Sequence, residues 1–157
     1  MSLSNRPSPD IVETDRETIW HHLTQHSVFD ERDPLMIVKG KGMVVTDING
    51  NDYLDATSGG VWSVNVGYGR ERVAKAVAEQ LTQMCYFAGT GGTIPGANFA
   101  KKLLEKMPHM GRVYYSNSGS EANEVALLNA RVKTGENIIL ALRHSYHGGT
   151  QAALDLC

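Results

Sequence analysis

Cysteine is scarce in this 157-residue sequence, and its two cysteines, Cys85 and Cys157, cannot build a disulfide framework. Reduced thiols in a cytoplasmic protein are expected. The polar opening run, Met1 to Asp10, contains no apolar core of a secretory signal. No apolar stretch approaches the roughly 20 residues of a membrane span, so no membrane partner is expected. An excess of one charge is also missing: 15 Lys and Arg stand against 17 Asp and Glu, for a formal net charge of −2. That balance removes the general electrostatic reason to bind nucleic acid. Gly67-Tyr68-Gly69-Arg70 and Gly89-Thr90-Gly91-Gly92 both miss the G-x-G-x-x-G spacing, and there is no Walker A lysine loop, so a dinucleotide or P-loop site is a poor fit. His22 and His26 have i, i+4 spacing without an H-E-x-x-H arrangement or a third ligand. They read as a solvated helix face, with no metal site. Internal repeats and low-complexity tracts are absent.

What is present is ordinary soluble-protein composition, 41% hydrophobic and 20% charged, at a length that suits one domain. Residues 1–12, with two prolines, are expected to form an extended arm. Thr14 or Asp15 would cap a helix running to about His26, with Ile19, Trp20 and Leu23 on one face. An irregular stretch punctuated by Pro34 follows. Val44–Ile48 and Asp52–Leu54 flank Asn49-Gly50, which predicts a type I′ hairpin. A glycine-rich loop runs from Ser58 to Gly69. Val73, Val77, Leu81 and Met84 predict a helix over 71–84. Residues 88–96 read as a loop, and Phe99, Leu103 and Met107 mark a helix stopped by Pro108. Beyond it the pattern reads strand 113–116, helix 120–133, strand 138–141, and a new helix from about Thr150. This β–α–β order predicts a parallel sheet in an α/β fold, and an isolated piece of such a sheet would expose much apolar surface.

Two runs carry chemistry. Ser116-Asn117-Ser118-Gly119-Ser120-Glu121-Ala122-Asn123 turns a strand into a helix. Free amides and two hydroxyls converge there, and the helix dipole favours an anion such as a phosphate. The same residues also make an ordinary N-cap, with Ser118 capping and Glu121 closing a capping box; one geometry serves both. The second run, Ser145-Tyr146-His147-Gly148-Gly149, offers an aromatic ring beside glycines that let a flat ligand reach the backbone. His147 reads as a packed, hydrogen-bonded residue. Trp62, set among Gly59, Gly60 and Gly67, is either a pocket wall or a loop anchor.

Together these runs resemble the class III pyridoxal-phosphate aminotransferases, the ω-transaminases. Asp47–Asp55 matches the family's D-x-x-G-x-x-Y-L-D hairpin, and Trp62–Gly69 its W-x-x-N-x-G-Y-G loop. Residues 84–108 look like the taurine–pyruvate branch. The resemblance implies fold type I of the pyridoxal-phosphate transferases, here the N-terminal segment of the small domain plus the start of the large-domain parallel sheet. Residues 1–69 would supply arm, helix, hairpin and active-site loop, and 70–157 the first part of the cofactor domain. It implies pyridoxal 5'-phosphate held by Ser118, Gly119 and Ser120, with Tyr146 stacking on its ring and His147 and Gly148 alongside, and Trp62 lining the donor pocket. The implied reaction moves an amino group from an ω-amine donor, of the taurine or β-alanine type, to pyruvate or a similar keto acid. The implied assembly is a homodimer with partner contacts at 86–96. None of the seven lysines matches the context of the family's catalytic lysine. The chain is therefore expected to stop short of that lysine, to contribute no catalytic residue of its own, and to be inactive alone. A non-catalytic fragment keeping only a phosphate cup, or a nucleotide-binding α/β module, is the alternative.

Overall fold

The computed structural model describes residues 9–157, so most of the expected N-terminal arm lies outside the described residues. The chain divides into two compact units, one reaching to Tyr86 and the other starting at Phe87.

In the first unit, helix α1 spans Pro9–Thr18. It begins earlier and ends earlier than the expected helix, and residues 9–12 are helical rather than extended. The cause of the early stop is local. The His21 amide donates to His26 Nε2 at 3.0 Å, and Leu23 has φ 51°, so the chain turns away from the helix. His21 also meets Asp15 at 2.7 Å, and the His21 ring packs edge-on against Phe29 at 4.9 Å. His22 and His26 consequently do not share a helix face, and Ile19, Trp20 and Leu23 are all exposed. A short 3₁₀ helix, His26–Asp30, follows.

Three antiparallel strands come next: β1 (Ile37–Lys41), β2 (Val44–Asp47) and β3 (Asp52–Leu54), in that order. β1 escaped the sequence pattern because its residues, Ile-Val-Lys-Gly-Lys, do not alternate, and a register shift lies between Ile37 and Lys39. Val45, Thr46 and Asp47 of β2 are the buried residues here. The β2–β3 turn departs from the expected type I′. The Asp47 amide pairs with the Asn51 carbonyl at 2.9 Å, and the Gly50 amide closes on the Asp47 carbonyl at 3.0 Å. Gly50 alone has positive φ, 88°, whereas a type I′ turn needs positive φ at Asn49 as well. The loop is the three-residue kind. Asp47 selects it: its carboxylate accepts the amides of Asn49 (2.9 Å) and Asn51 (2.8 Å), the Asn51 side-chain amide (2.9 Å) and the Tyr53 hydroxyl (2.9 Å). After the glycine-rich loop, α2 spans Glu71–Gln83, as its apolar spacing predicts.

In the second unit, α3 spans Ile94–Lys106. It starts inside the expected 88–96 loop because Thr93 caps it, its hydroxyl accepting the Gly96 amide at 3.3 Å. The helix ends ahead of Pro108. The Tyr115 hydroxyl donates to the Gly96 carbonyl at 2.6 Å and its ring lies 6.2 Å from that of Phe99. α4 spans Gly119–Thr134 and α5 Gln151–Leu154. The two pack together, burying Leu127 and leaving Ala153 with 0% exposure. The segments 113–116 and 138–141 have no strand partner among the described residues, so the expected parallel ladder is not formed. A strand exists only through its neighbours' hydrogen bonds, and Ile138, Leu140 and Leu142 are left exposed.

The Asp47 carboxyl is held below its ordinary value of 3.8, first by the Asn51 side-chain amide and then by the other donors, against some desolvation. A group depressed in the folded state stabilises above its ordinary pKa and ceases to do so as pH falls through the lowered value. Amide exchange at Asn49 and Asn51 is therefore expected to be slow at pH 5. It is expected to accelerate relative to unrelated amides as the pH is taken well below 3.8, and to be fast at both pH values in Asp47→Ala.

Candidate active site

The head of α4 is capped by side chains. Ser118 Oγ accepts the Glu121 amide at 3.1 Å, and Glu121 Oε2 reaches back to the Asn117 amide at 2.7 Å. Ser118 thus caps as expected, but the return bond of Glu121 falls on the residue before the cap rather than on Ser118 itself, so the expected capping box is shifted by one residue. Because Ser118 Oγ acts there as acceptor, its hydroxyl proton remains available to donate. The first amides of a helix have no intrahelical acceptor, and a side-chain carbon added at Gly119 would meet nothing within 4 Å.

Ser120 connects this turn to the second run. Its Oγ accepts the Gly149 amide at 3.1 Å, across 29 residues of sequence. Gly148, buried and with φ 139°, sits so close that a Cβ there would lie 2.6 Å from Ser120 Oγ and 2.9 Å from its Cα. Only glycine allows that approach. The structure therefore brings Ser120 together with Gly148 and Gly149. Two residues one turn further along α4 complete the attachment. Asn123 Nδ2 donates to the His147 carbonyl at 2.5 Å, and Glu124 Oε1 accepts the amides of Ala152 (2.9 Å) and Ala153 (3.3 Å) at the start of α5. The Glu124 carboxyl is lowered, first by the nearby Thr150 hydroxyl and then by these amides.

His147 is held by its backbone, its amide meeting Cys157 Sγ at 3.2 Å, while its ring Nε2 is buried without a partner among the described residues. The ring is packed as expected but not hydrogen-bonded at that nitrogen. Tyr146, at the head of this run, keeps 57% of its surface exposed. Asn123 and Glu124 carried no role in the sequence reading. Their signal was available: with Ser120 they form an i, i+3, i+4 polar stripe, which marks one helix face pointing at a polar neighbour.

Trp62 belongs to the first unit. It lies in the turn Ser58–Trp62, where Gly59 and Gly60 have φ of 83° and 86° and Trp62 itself has φ 60°. The indole is 74% exposed. The turn is organised by Asp55, another residue without a role in the sequence reading. Oδ2 of Asp55 accepts the Gly59 amide at 2.6 Å and the Tyr68 hydroxyl at 2.7 Å, and Oδ1 accepts the Thr57 amide and hydroxyl, both at 3.0 Å. These donors, led by Tyr68, pull the Asp55 carboxyl down to about 2, and the same contact raises the Tyr68 phenol. Among the described residues no three His, Cys, Asp or Glu side chains converge as metal ligands, and no helix is long and apolar enough to cross a membrane.

The family model "Aminotransferase class-III" matches residues 27–157. The chain is 50% identical over 160 residues to a hypotaurine/taurine–pyruvate aminotransferase of Paracoccus denitrificans, covering 98% of this chain and 35% of that protein. It is 50% identical over 157 residues to a taurine–pyruvate aminotransferase of Bilophila wadsworthia, covering 94% and 33%. Among solved structures, an (S)-enantioselective ω-transaminase from Thermomicrobium roseum superposes with TM-score 0.86 at 31% identity, over 95% of this chain and 35% of that one. The Pseudomonas jessenii ω-transaminase in complex with PMP gives 0.80 at 31% identity, over 89% and 33%. The chain spans about a third of the length of these relatives. Its fold is a partial one of the pyridoxal-phosphate transaminase type, and the chain belongs to the class III aminotransferases.

Proposed function

We propose that this chain is the N-terminal portion of an aminotransferase that moves an amino group from an ω-amine donor, taurine or a similar small acidic amine, to pyruvate or a related keto acid. One observation carries the reading. The Ser118–Ser120 turn and the Tyr146–Gly149 run are joined through Ser120 Oγ, so a phosphate cup and an exposed aromatic ring belong to one rigid piece. The donor set fits pyridoxal 5'-phosphate. Open amides at the head of α4 and the Ser118 and Ser120 hydroxyl protons suit a dianionic phosphate, and Gly148 keeps the floor clear of side chain. When bound, that cofactor supplies the electron sink for amino transfer.

Within this assignment Ser118, Gly119 and Ser120 hold the phosphate, Tyr146 faces the ring, and His147 and Gly148 shape the loop around it. Trp62 walls the donor pocket. A solved tryptophan-to-glycine variant of the Pseudomonas jessenii enzyme is described as engineered for asymmetric synthesis of enantiopure bulky amines, which supports a tryptophan as size filter in this fold. Residues 1–69 contribute to the small domain and 70–157 begin the large one. A homodimer is the proposed assembly, met at 86–96, where Tyr86, Phe87 and Ile94 are exposed.

The taurine assignment rests on the relatives at 50% identity. It is tested by a donor panel with pyruvate on the complete enzyme. Taurine or hypotaurine is expected to have the highest kcat/KM, and Trp62→Ala to shift the ratio towards an aryl amine by about tenfold, the scale of a lost apolar wall. Preference for an aryl amine in the unaltered enzyme would overturn the assignment. On this reading the 157-residue chain by itself lacks the catalytic lysine, none of its seven lysines serving as one. It is expected to show no transamination, and borohydride treatment with pyridoxal phosphate to leave no stoichiometric, site-specific adduct. Turnover above trace level would overturn that expectation.

A further inference from the structure

The turn that presents Trp62 is unfavourable by itself. Ser58, Gly59, Gly60 and Trp62 all have φ between 53° and 86°. Left-handed backbone is unfavourable for a non-glycine residue, and Ser58 and Trp62 both adopt it. Something outside the turn must hold it, and one side chain, Asp55, binds both the residue before the turn and an amide within it.

Asp55 receives the Gly59 amide and the Tyr68 hydroxyl on one oxygen, and the Thr57 amide and hydroxyl on the other. The grip extends to Trp62 through Thr57. The Thr57 hydroxyl accepts the Gly60 amide at 3.2 Å, and its carbonyl accepts the Trp62 amide at 2.9 Å. At the far end Tyr68 is anchored to the sheet. Its backbone exchanges hydrogen bonds with Gly42, at 2.8 and 3.1 Å. Its ring covers Gly40, where a Cβ would lie 2.6 Å from the ring carbon. Residues 55 and 68 therefore close a loop around the tryptophan, with the sheet as base.

We infer that Asp55, with Tyr68, is a positioning residue for donor specificity: a clasp that holds the 58–62 turn in its left-handed form and so fixes where the Trp62 indole stands. This rests on the proposed donor-wall role of Trp62. A carboxylate is required because four donors converge on it. A carboxamide has one oxygen, and its amino group would face either the Gly59 amide or the Thr57 donors without being able to accept.

The test uses the complete enzyme with Asp55→Asn, Tyr68→Phe and Trp62→Ala. It reads amide exchange over 56–64, kcat/KM for taurine and for an aryl amine, and pyridoxal phosphate retention. Asp55→Asn is expected to speed exchange at Thr57 and Gly59 by about tenfold, the scale of a lost bond to a charged acceptor. It should shift the donor ratio in the same direction as Trp62→Ala, with cofactor retention and exchange over 116–124 unchanged. Tyr68→Phe keeps the ring on Gly40 and should give the same changes at smaller size. Unchanged exchange in Asp55→Asn overturns the clasp. Faster exchange with an unmoved donor ratio, where Trp62→Ala does move it, overturns its role in specificity. A loss confined to cofactor retention does so too. If Trp62→Ala leaves the ratio unmoved, the donor-wall reading and the specificity role fall together, while the exchange arm still decides whether Asp55 holds the turn.

Discussion

The contact between Ser120 and the Gly148–Gly149 backbone is the constraint on which the candidate cofactor site depends. A hydroxyl on the first turn of α4 accepts the Gly149 amide at 3.1 Å, and Gly148 is pressed against the same residue. A single hydrogen bond of this kind is worth only about 1 kcal/mol net. Its weight comes from what surrounds it. Asn123 and Glu124, on the same face of α4, fix the His147 carbonyl and the first amides of α5. The polar stripe sets the register of the Tyr-His-Gly run against the helix head, so the first amides of α4 and the Tyr146 run are positioned by one element.

The parts legible in the sequence were those with local causes. α2 and α4 follow from apolar spacing and from the Ser118 cap, and both lie within a residue or so of the expected bounds. The turn residues that look like a phosphate cup were legible for the same reason, since capping is written into adjacent side chains. The failures have causes that neither periodicity nor turn composition carries. α1 stops at Thr18 because His21 bonds a histidine ring five residues on, which periodicity cannot show. The hairpin loop is set by the reach of Asp47 rather than by Asn-Gly alone. Asp55 and Tyr68 stand 13 residues apart, and nothing in the intervening glycines announces their bond.

The same division explains the unpaired segments. Helices satisfy their backbone internally, so α2 and α3 form while the stripe Val73, Val77 and Leu81 is exposed. Strands have no such independence, and 113–116 and 138–141 lack ladders among the described residues. Burying one Val or Leu side chain is worth about 1.5–3 kcal/mol, so these apolar faces hold a large unspent driving force. In the proposed enzyme the remaining two-thirds of the relatives' length and a second subunit would supply the covering surface.

The central claim is that the Ser118–Ser120 turn reads a phosphate. The most direct measurement is the affinity of the complete enzyme, and of its Ser120→Ala variant, for pyridoxal 5'-phosphate and for pyridoxal lacking the phosphate. Ser120→Ala is predicted to weaken the phosphorylated form by about 10- to 100-fold, the scale of a hydrogen bond to a charged group, and to weaken the dephosphorylated form by distinctly less, since that form loses only the seating of the Tyr146 run. Equal weakening of both forms, or no weakening of either, would contradict it.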